Sequence, residues 1–138
     1  MQLDHVCIAV RNLDHATKRL CELFGYRVKT DKVTNSRQEV NIQFLVKEDS
    51  LDIKLIEPSH RDSPLVDFLK RGEGLHHLCF KGGDTVAEVQ ALAAKGARVL
   101  AAPQPGEAFD DALIAFVYAG MGLNVEVIDT DKRRGLRD

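Results

Sequence analysis

A chain of 138 residues is long enough to form one domain with its own hydrophobic core. Its 44% hydrophobic and 29% charged residues are typical of a soluble globular protein, and no apolar run approaches the roughly 20 residues of a membrane helix. The net charge of −2 argues against a nucleic-acid-binding protein. The N-terminus has no basic signal-peptide segment and the three cysteines match no zinc-ribbon spacing, so the sequence predicts a cytoplasmic protein.

The first half of the chain predicts one strand, one helix and three further strands. Residues 2–10 are rich in valine and isoleucine, which is typical of a strand. Apolar residues then recur at helical spacing from Leu13 to Phe24, and Gly25 supplies a stop. Three strand-like segments follow at about 26–33, 39–47 and 50–57.

The second half predicts the same order of elements. A linker precedes it and contains a short predicted helix, Pro64 to Lys70. The main helix of this half begins after the N-cap Asp84 and ends before Gly96, and residues 103–106 predict a loop because two prolines and a glycine occur there. The predicted strands are 75–81 and, approximately, 97–101, 112–119 and 123–129.

The two halves are copies of one another at a shift of 72 residues. The segment Leu3-Asp4-His5-Val6-Cys7-Ile8 returns as Leu75-His76-His77-Leu78-Cys79-Phe80. A duplicated unit predicts pseudo-twofold symmetry, and we expect residues that coincide under the shift to converge on the symmetry axis. The chemically notable pairs are His5 with His77, Lys54 with Glu126, and Cys7 with Cys79.

Strand periodicity separates polar from apolar side chains in the central strands. Along residues 51–57, Lys54 points away from Leu51, Ile53 and Leu55. Along residues 41–46, Asn41 and Gln43 likewise oppose the apolar positions. We expect the apolar faces to pack under the helices and the polar faces, with the repeated histidines, to line the concave side of a curled sheet.

These patterns predict an α+β fold. Two βαβββ modules in a pseudo-twofold arrangement form a cup-shaped mixed sheet with the helices outside. One domain covers residues 1–129, with module 1 at about 1–58, a linker at about 59–74 and module 2 at about 75–129. Residues 130–138 are predicted to be a charged, disordered tail.

Four short motifs span nearly the whole chain: Leu3-Asp4-His5-Val6, Arg61-Asp62-Ser63-Pro64-Leu65 with Phe68-Leu69, Gly72-Glu73-Gly74-Leu75-His76-His77, and Asn124-Val125-Glu126-Val127. With these motifs the chain resembles the vicinal oxygen chelate superfamily, which includes glyoxalases, bleomycin resistance proteins and dioxygenases. The second and third motifs are similar to those of its branch of methylmalonyl-CoA epimerases. The resemblance implies two βαβββ modules paired into a cup.

The resemblance also implies a divalent metal held by four side chains from four strands. His5, His77 and Glu126 match three of the ligands. Lys54 stands at the remaining position, where the family has glutamine or glutamate. Imidazoles and a carboxylate suit Zn, Ni, Co, Mn or Fe, whereas a protonated lysine has no lone pair to offer. A metal-assisted and a metal-free site therefore both stay open.

Three functions are compatible with these residues. The leading hypothesis is a glyoxalase- or epimerase-like isomerase or lyase that moves a proton next to a carbonyl of a small oxygenated substrate, with Glu126 as the base and Lys54 as an electrostatic stabiliser. The alternatives are a metal-free ligand-binding or resistance-type protein and an Fe(II) extradiol-type dioxygenase that uses the two histidines and Glu126. Further residues expected to line the substrate site are Asn41, Gln43, Cys7 and Cys79.

Two features of the resemblance leave the partners open. Where the epimerase-like branch carries a basic residue before its third strand, which would help to hold a CoA phosphate, this chain reads Phe109-Asp110-Asp111-Ala112. A CoA thioester is therefore only one of the substrates that the sequence allows. In this superfamily the cup closes within one chain or between two, so a homodimer is a second arrangement to consider.

Overall fold

Nine strands and three helices make up the structure. The computed structural model describes all residues, 1–138. The helices are α1 (Leu13–Phe24), α2 (Leu65–Leu69) and α3 (Thr85–Ala94), and a 3₁₀ turn covers Glu107–Phe109. The strands are β1 (Gln2–Ala9), β2 (Arg27–Val28), β3 (Val33–Asn35), β4 (Val40–Val46), β5 (Asp52–Pro58), β6 (Gly74–Lys81), β7 (Arg98–Gly106), β8 (Ala112–Tyr118) and β9 (Asn124–Ile128).

The strand order of the single mixed sheet reproduces the sequence repeat. Neighbouring strands run β2-β4-β5-β1-β6-β9-β8-β7, and β3 pairs with β4. The two halves meet where β1 and β6 pair antiparallel, and each of these strands pairs in parallel with a strand of its own half, β5 or β9. The sheet does not close, and the helices lie outside it. The predicted fold of two βαβββ modules is therefore confirmed.

Both long helices begin and end at the residues that the sequence indicates. The side chain of Asn12 caps α1 by accepting a hydrogen bond from the backbone N–H of His15, and Gly25 ends the helix with φ = 75°. The side chain of Asp84 caps α3 in the same way, by accepting from the N–H of Ala87. None of the helices combines the length and apolar composition needed to cross a membrane.

Two segments differ from their predicted conformation. The predicted strand 26–33 is interrupted, and only the short strands β2 and β3 pair with β4 there. Residues 103–106, predicted as a loop, instead belong to β7. Because β7 is the last strand of the sheet and its register with β8 shifts between Ala101 and Gln104, prolines without an N–H donor are tolerated in it.

The concave face of the sheet is more apolar than the alternation pattern predicts. Phe44 of β4 lies on this face, because its ring packs edge-on against His5 with centroids 5.1 Å apart. Asn41 and Gln43 consequently lie on the outer face, which corrects the expectation that they line the cup. Gln43 accepts a hydrogen bond from the Thr17 hydroxyl of α1. Alternation separates the two faces of a strand but does not say which one is concave.

The charged C-terminal segment, for which the sequence predicts disorder, packs against both halves of the molecule. Arg133 is buried, and Arg134 forms ion pairs with Asp110 and Asp111. The backbone of the segment makes three further hydrogen bonds, from Asp31 N to Gly135 O, from Arg137 N to Lys29 O, and from Arg134 N to Ala108 O. We call residues 130–138 the C-terminal strap.

A pair of leucine substitutions tests the packing under α1. Leu45 is fully buried there with Leu13 and Leu55, so we expect Leu45→Ala to lower the free energy of unfolding by about 2–5 kcal/mol in urea denaturation. Leu51 is 42% exposed, and Leu51→Ala, the matched control, should change this free energy by less than about 0.5 kcal/mol. Equal losses in the two variants would contradict the assigned packing.

Candidate active site at the centre of the sheet

Four side chains related by the repeat converge where the two halves meet. They come from the central strands β1, β5, β6 and β9, and each is at least 98% buried. The Lys54 ammonium donates to both carboxylate oxygens of Glu126, each at 3.2 Å. The Nε2 atoms of His5 and His77 lie 3.2 and 3.3 Å from Oε1 of Glu126. One carboxylate oxygen thus contacts three nitrogen atoms.

Lys54 and Glu126 form a buried ion pair. Burial alone would raise the pKa of Glu126 and lower that of Lys54. The charge of Lys54 and the hydrogen bonds from the two histidines instead hold the pKa of Glu126 well below its usual range, and the charge of Glu126 raises the pKa of Lys54. At neutral pH the pair is therefore a carboxylate and an ammonium. Within the cluster, each of these two charges is balanced only by the other.

The residue before each clustered histidine contacts the other nitrogen of that histidine. Asp4 Oδ2 lies 2.7 Å from Nδ1 of His5, and His76 Nδ1 lies 2.7 Å from Nδ1 of His77. The register between β1 and β6 shifts at these two positions: Leu3 and His5 face Phe80 and Cys79, and Cys7 and Ile8 face His77 and Leu75.

Asp4 and His76 are therefore the extra residues of two β-bulges, which turn their side chains toward the cluster. Sequence alternation places both on the opposite face, so it missed them. The signal that could have found them is the repeat itself, because Asp4 and His76 coincide under the shift of 72 residues.

The hydrogen bonds of the second half form a continuous chain. Burial lowers the pKa of His76 to about 4 and that of His77 to about 3, so both rings are neutral at pH 7. When His76 donates from Nδ1 to Nδ1 of His77, the proton of His77 is on Nε2 and points at Glu126. Both nitrogens of His77 then have a partner, and the Nε2 atom of His76 remains free.

Three of the four side chains could hold a metal ion, and the fourth opposes it. The donor atoms of His5, His77 and Glu126 lie within 4.8 Å of one another. Their contacts of 3.2–3.3 Å match ligands that sit about 2.1 Å from one ion, which are roughly 3.0–3.4 Å apart. Lys54 stands at the same separation from Glu126, but its ammonium has no lone pair and repels a dication. The residues therefore do not fit the four-ligand centre that the resemblance implies.

The two cysteines that were expected to line the substrate site are instead part of the apolar core. Cys7 and Cys79 are fully buried there, and neither lines the cavity described below. Burial raises the pKa of the Cys7 thiol to about 12 and that of Cys79 further above its usual range. Because the thiolate is the nucleophile and the metal ligand, neither thiol is in its reactive form.

A cavity of about 500 Å³ opens onto one side of the cluster. Lys54, His76 and His77 reach its wall, whereas Glu126 does not. None of its lining residues is an aspartate or a glutamate. The other lining residues are Leu65, Pro64 and Phe68 around α2, Val40 and Ile56, Leu100 and Ala101, Phe116, and the polar Arg37, Gln38, Gln104 and Asn124.

Comparison with known proteins gives consistent similarities. Residues 4–118 match the profile of the Glyoxalase/Bleomycin resistance protein/Dioxygenase superfamily. The chain is 30% identical over 106 residues to an ethylmalonyl-CoA/methylmalonyl-CoA epimerase of Cereibacter sphaeroides, covering 75% of this chain and 78% of that protein. It is 32% identical over 101 residues to human mitochondrial methylmalonyl-CoA epimerase, covering 72% and 56% of the two proteins.

Two further comparisons concern coverage and structure. An uncharacterized Bacillus subtilis protein is 36% identical over 92 residues, and the match covers 66% of this chain and 64% of that protein, slightly less than two thirds of it. The solved structure of Streptomyces coelicolor methylmalonyl-CoA epimerase with 2-nitronate-propionyl-CoA superposes with a TM-score of 0.84 at 28% identity, and covers 95% of this chain and 98% of that one.

Breaking the ion pair tests its role in stability. Lys54→Met leaves the Glu126 carboxylate buried without its cation, so we expect a loss of about 3–5 kcal/mol in the free energy of unfolding. Glu126→Leu should lower the free energy of unfolding by a similar amount, because it leaves the Lys54 ammonium buried without its anion. The double variant should lose far less than the sum of the two, because it removes both charges together. Additive losses in urea denaturation would contradict this coupling.

Acid should destabilise the fold through the neutral histidines. In the unfolded chain His76 and His77 bind protons near pH 6.5, but the folded state resists protonation down to about pH 4 and 3. Between these values the unfolded state binds more protons, so stability falls as the pH falls. In thermal unfolding from pH 7 to pH 4, the His76→Gln/His77→Gln variant should show a shallower decline than the unsubstituted protein. Parallel pH profiles would refute it.

Proposed function

Because this chain belongs to the glyoxalase/bleomycin resistance protein/dioxygenase superfamily, we propose that it is an isomerase of the epimerase type. It removes a proton from a carbon next to a carbonyl group and delivers a solvent-exchangeable proton to the opposite face of the same carbon. The observation that carries this proposal is the Lys54–Glu126 ion pair, which holds an ammonium at the wall of a cavity large enough for an acyl group.

Lys54 is suited to stabilise the enolate that forms when the proton leaves. An ammonium has three N–H donors, and two of them point at the oxygens of Glu126. We assign the third to an oxygen of the substrate, because Lys54 belongs to the lining of the cavity. Because Glu126 keeps the ammonium charged and fixed in a site without bulk water, its electrostatic effect on a developing oxyanion is large.

Glu126 itself is poorly placed to be the base that the sequence suggested. It does not reach the cavity, so a substrate bound there lies out of its reach. His76 and His77, which do line the cavity, are neutral and linked to Glu126 by hydrogen bonds. We therefore assign proton transfer to the histidine pair, and to Glu126 the role of orienting His77.

This mechanism takes carbonyl polarisation from Lys54. No step in it depends on a divalent ion, because the donor set at the centre does not fit one while Lys54 is charged. A solved methylmalonyl-CoA epimerase, 28% identical to this chain, was obtained in complex with methylmalonyl-CoA and NH4+. In that epimerase, therefore, an ammonium ion and an acyl-CoA substrate were bound in the same complex.

A thioester that carries a carboxylate suits the lining of the cavity. The lining contains no acidic residue, and the charge of Lys54 is already balanced by Glu126. Arg37 at the rim forms a hydrogen bond only to the backbone carbonyl of Pro105 and has no carboxylate partner. We propose an acyl-CoA of the methylmalonyl or ethylmalonyl type, the substrates named for the Cereibacter relative.

Proton exchange in D2O tests the proposed function. The protein, dialysed against EDTA, is incubated with methylmalonyl-CoA or ethylmalonyl-CoA, and deuterium at the α-carbon is followed by mass spectrometry. We expect exchange with the unsubstituted protein and a loss of at least about 100-fold in Lys54→Met, because the oxyanion loses its donor. Lys29→Met, which removes a lysine paired with Asp52 outside the cavity, is the matched control and should keep the rate.

A ligand-binding role is the competing function. The lowered pKa values of Glu126, His76 and His77 favour it, because no strong base is then present among the clustered groups. Thioester binding, seen by calorimetry, without any α-carbon exchange would overturn the isomerase proposal in favour of that role. Exchange that persists unchanged in Lys54→Met would overturn the mechanism assigned to the ion pair.

A further inference from the structure

The C-terminal strap places a buried guanidinium behind the cluster. The side chain of Arg133 is only 3% exposed, and its Cζ atom lies 4.7 Å from the ring centroids of both Phe44 and Phe109. None of these three residues lines the cavity. The cluster is therefore flanked by the cavity on the side of His76 and by the strap on the side of Asp4.

A continuous chain of contacts connects Arg133 to the ion pair. Its Nη2 donates to Oδ2 of Asp4 at 2.8 Å, and the same oxygen lies 2.7 Å from Nδ1 of His5. One carboxylate oxygen of Asp4 thus faces the guanidinium on one side and the His5 ring on the other. Because a carboxylate oxygen accepts hydrogen bonds, it can hold both groups at once.

We propose that Arg133 is a positioning residue that, by holding Asp4, fixes the orientation of the His5 ring, with Nδ1 directed at Asp4 and Nε2 directed at Glu126. Asp4 and His76 then have equivalent tasks in the two halves, because each contacts Nδ1 of the following histidine. The consequence for turnover depends on the proposed function, whereas the consequence for the His5 ring does not.

Packing alone does not account for an arginine at this position. Its Nε atom is buried without a hydrogen-bond partner, which is unfavourable. A methionine has a similar length and could fill the space between the two rings without an unpaired N–H. The guanidinium adds a charge between the two rings, a hydrogen bond to the carbonyl of Lys132, and the ion pair with Asp4. Only the last of these reaches the cluster.

The rest of the strap holds Arg133 in place from both sides. Arg134 N donates to the carbonyl of Ala108 in the second half, and Arg137 pairs with Asp31 in the first half. The ion pair between Arg137 and Asp31 is exposed, and Arg137 has no contact with Asp4. Arg137→Met therefore weakens the strap without removing the group that touches Asp4, and it is the matched control for Arg133→Met.

Side-chain 15N NMR of the histidines tests the proposal without turnover. The Nδ1 signal of His5, assigned by its absence in His5→Gln, should have the same 15N shift in the unsubstituted protein and in Arg137→Met. In Arg133→Met and in Asp4→Asn, this 15N shift should change, because the contact between Nδ1 and the side chain at position 4 is altered. Asp4→Asn is nearly isosteric, so it gives a result if Arg133→Met does not fold. An unchanged His5 pattern in either folded variant would overturn the proposal.

Kinetics of the exchange reaction supply a second measurement. Because Arg133 does not touch the cavity, Arg133→Met should lower kcat about tenfold and leave KM within about twofold. Adding Asp4→Asn to it should cost no further activity, because the two residues act through one contact. A rise in KM alone, or additive losses in the double variant, would contradict a positioning role for Arg133.

Discussion

The structure depends on one buried charge pair. Lys54 and Glu126 face each other across the pseudo-twofold axis at 3.2 Å, and their side chains are only 1% and 0% exposed. Neither charge is tolerable there without the other, because an unpaired ion at this depth costs several kcal/mol. The lowered pKa of Glu126 and the raised pKa of Lys54 both follow from this pairing. Oε1 of Glu126 contacts each of the other three clustered side chains.

Duplication of one module brought equivalent positions together, and divergence made them chemically different. A symmetric centre would present matching groups to a ligand from both halves. Here one half contributes a cation and the other an anion at equivalent positions, Lys54 and Glu126. The flanking residues diverged in the same way, since Asp4 is held by the strap while His76 faces the cavity. The proposed chemistry uses this asymmetry, with charge stabilisation from the first half and proton transfer from the second.

The repeat made the fold and the four central side chains predictable, because the shift of 72 residues can be read without any three-dimensional information. The bulges at Asp4 and His76 could not be predicted, because alternation assumes an unbroken register and both residues interrupt it. The prediction that Asn41 and Gln43 lie on the concave face of β4 was also wrong. Alternation separates the two faces of a strand but does not show which of them is concave. The strap was predicted as disordered because Arg133 is buried by Phe44 and Phe109, and both of these residues are distant from it in sequence.

The central claim is that the Lys54 ammonium takes the position that a metal ligand has in related sites. Elemental analysis of protein purified without chelator and equilibrated with Zn²⁺, Co²⁺ or Ni²⁺ tests it most directly. The account predicts almost no bound metal in the unsubstituted protein and about one ion per chain in Lys54→Gln, lost again when His77→Ala is added. One tightly bound ion per chain in the unsubstituted protein, removed by His77→Ala, would contradict it.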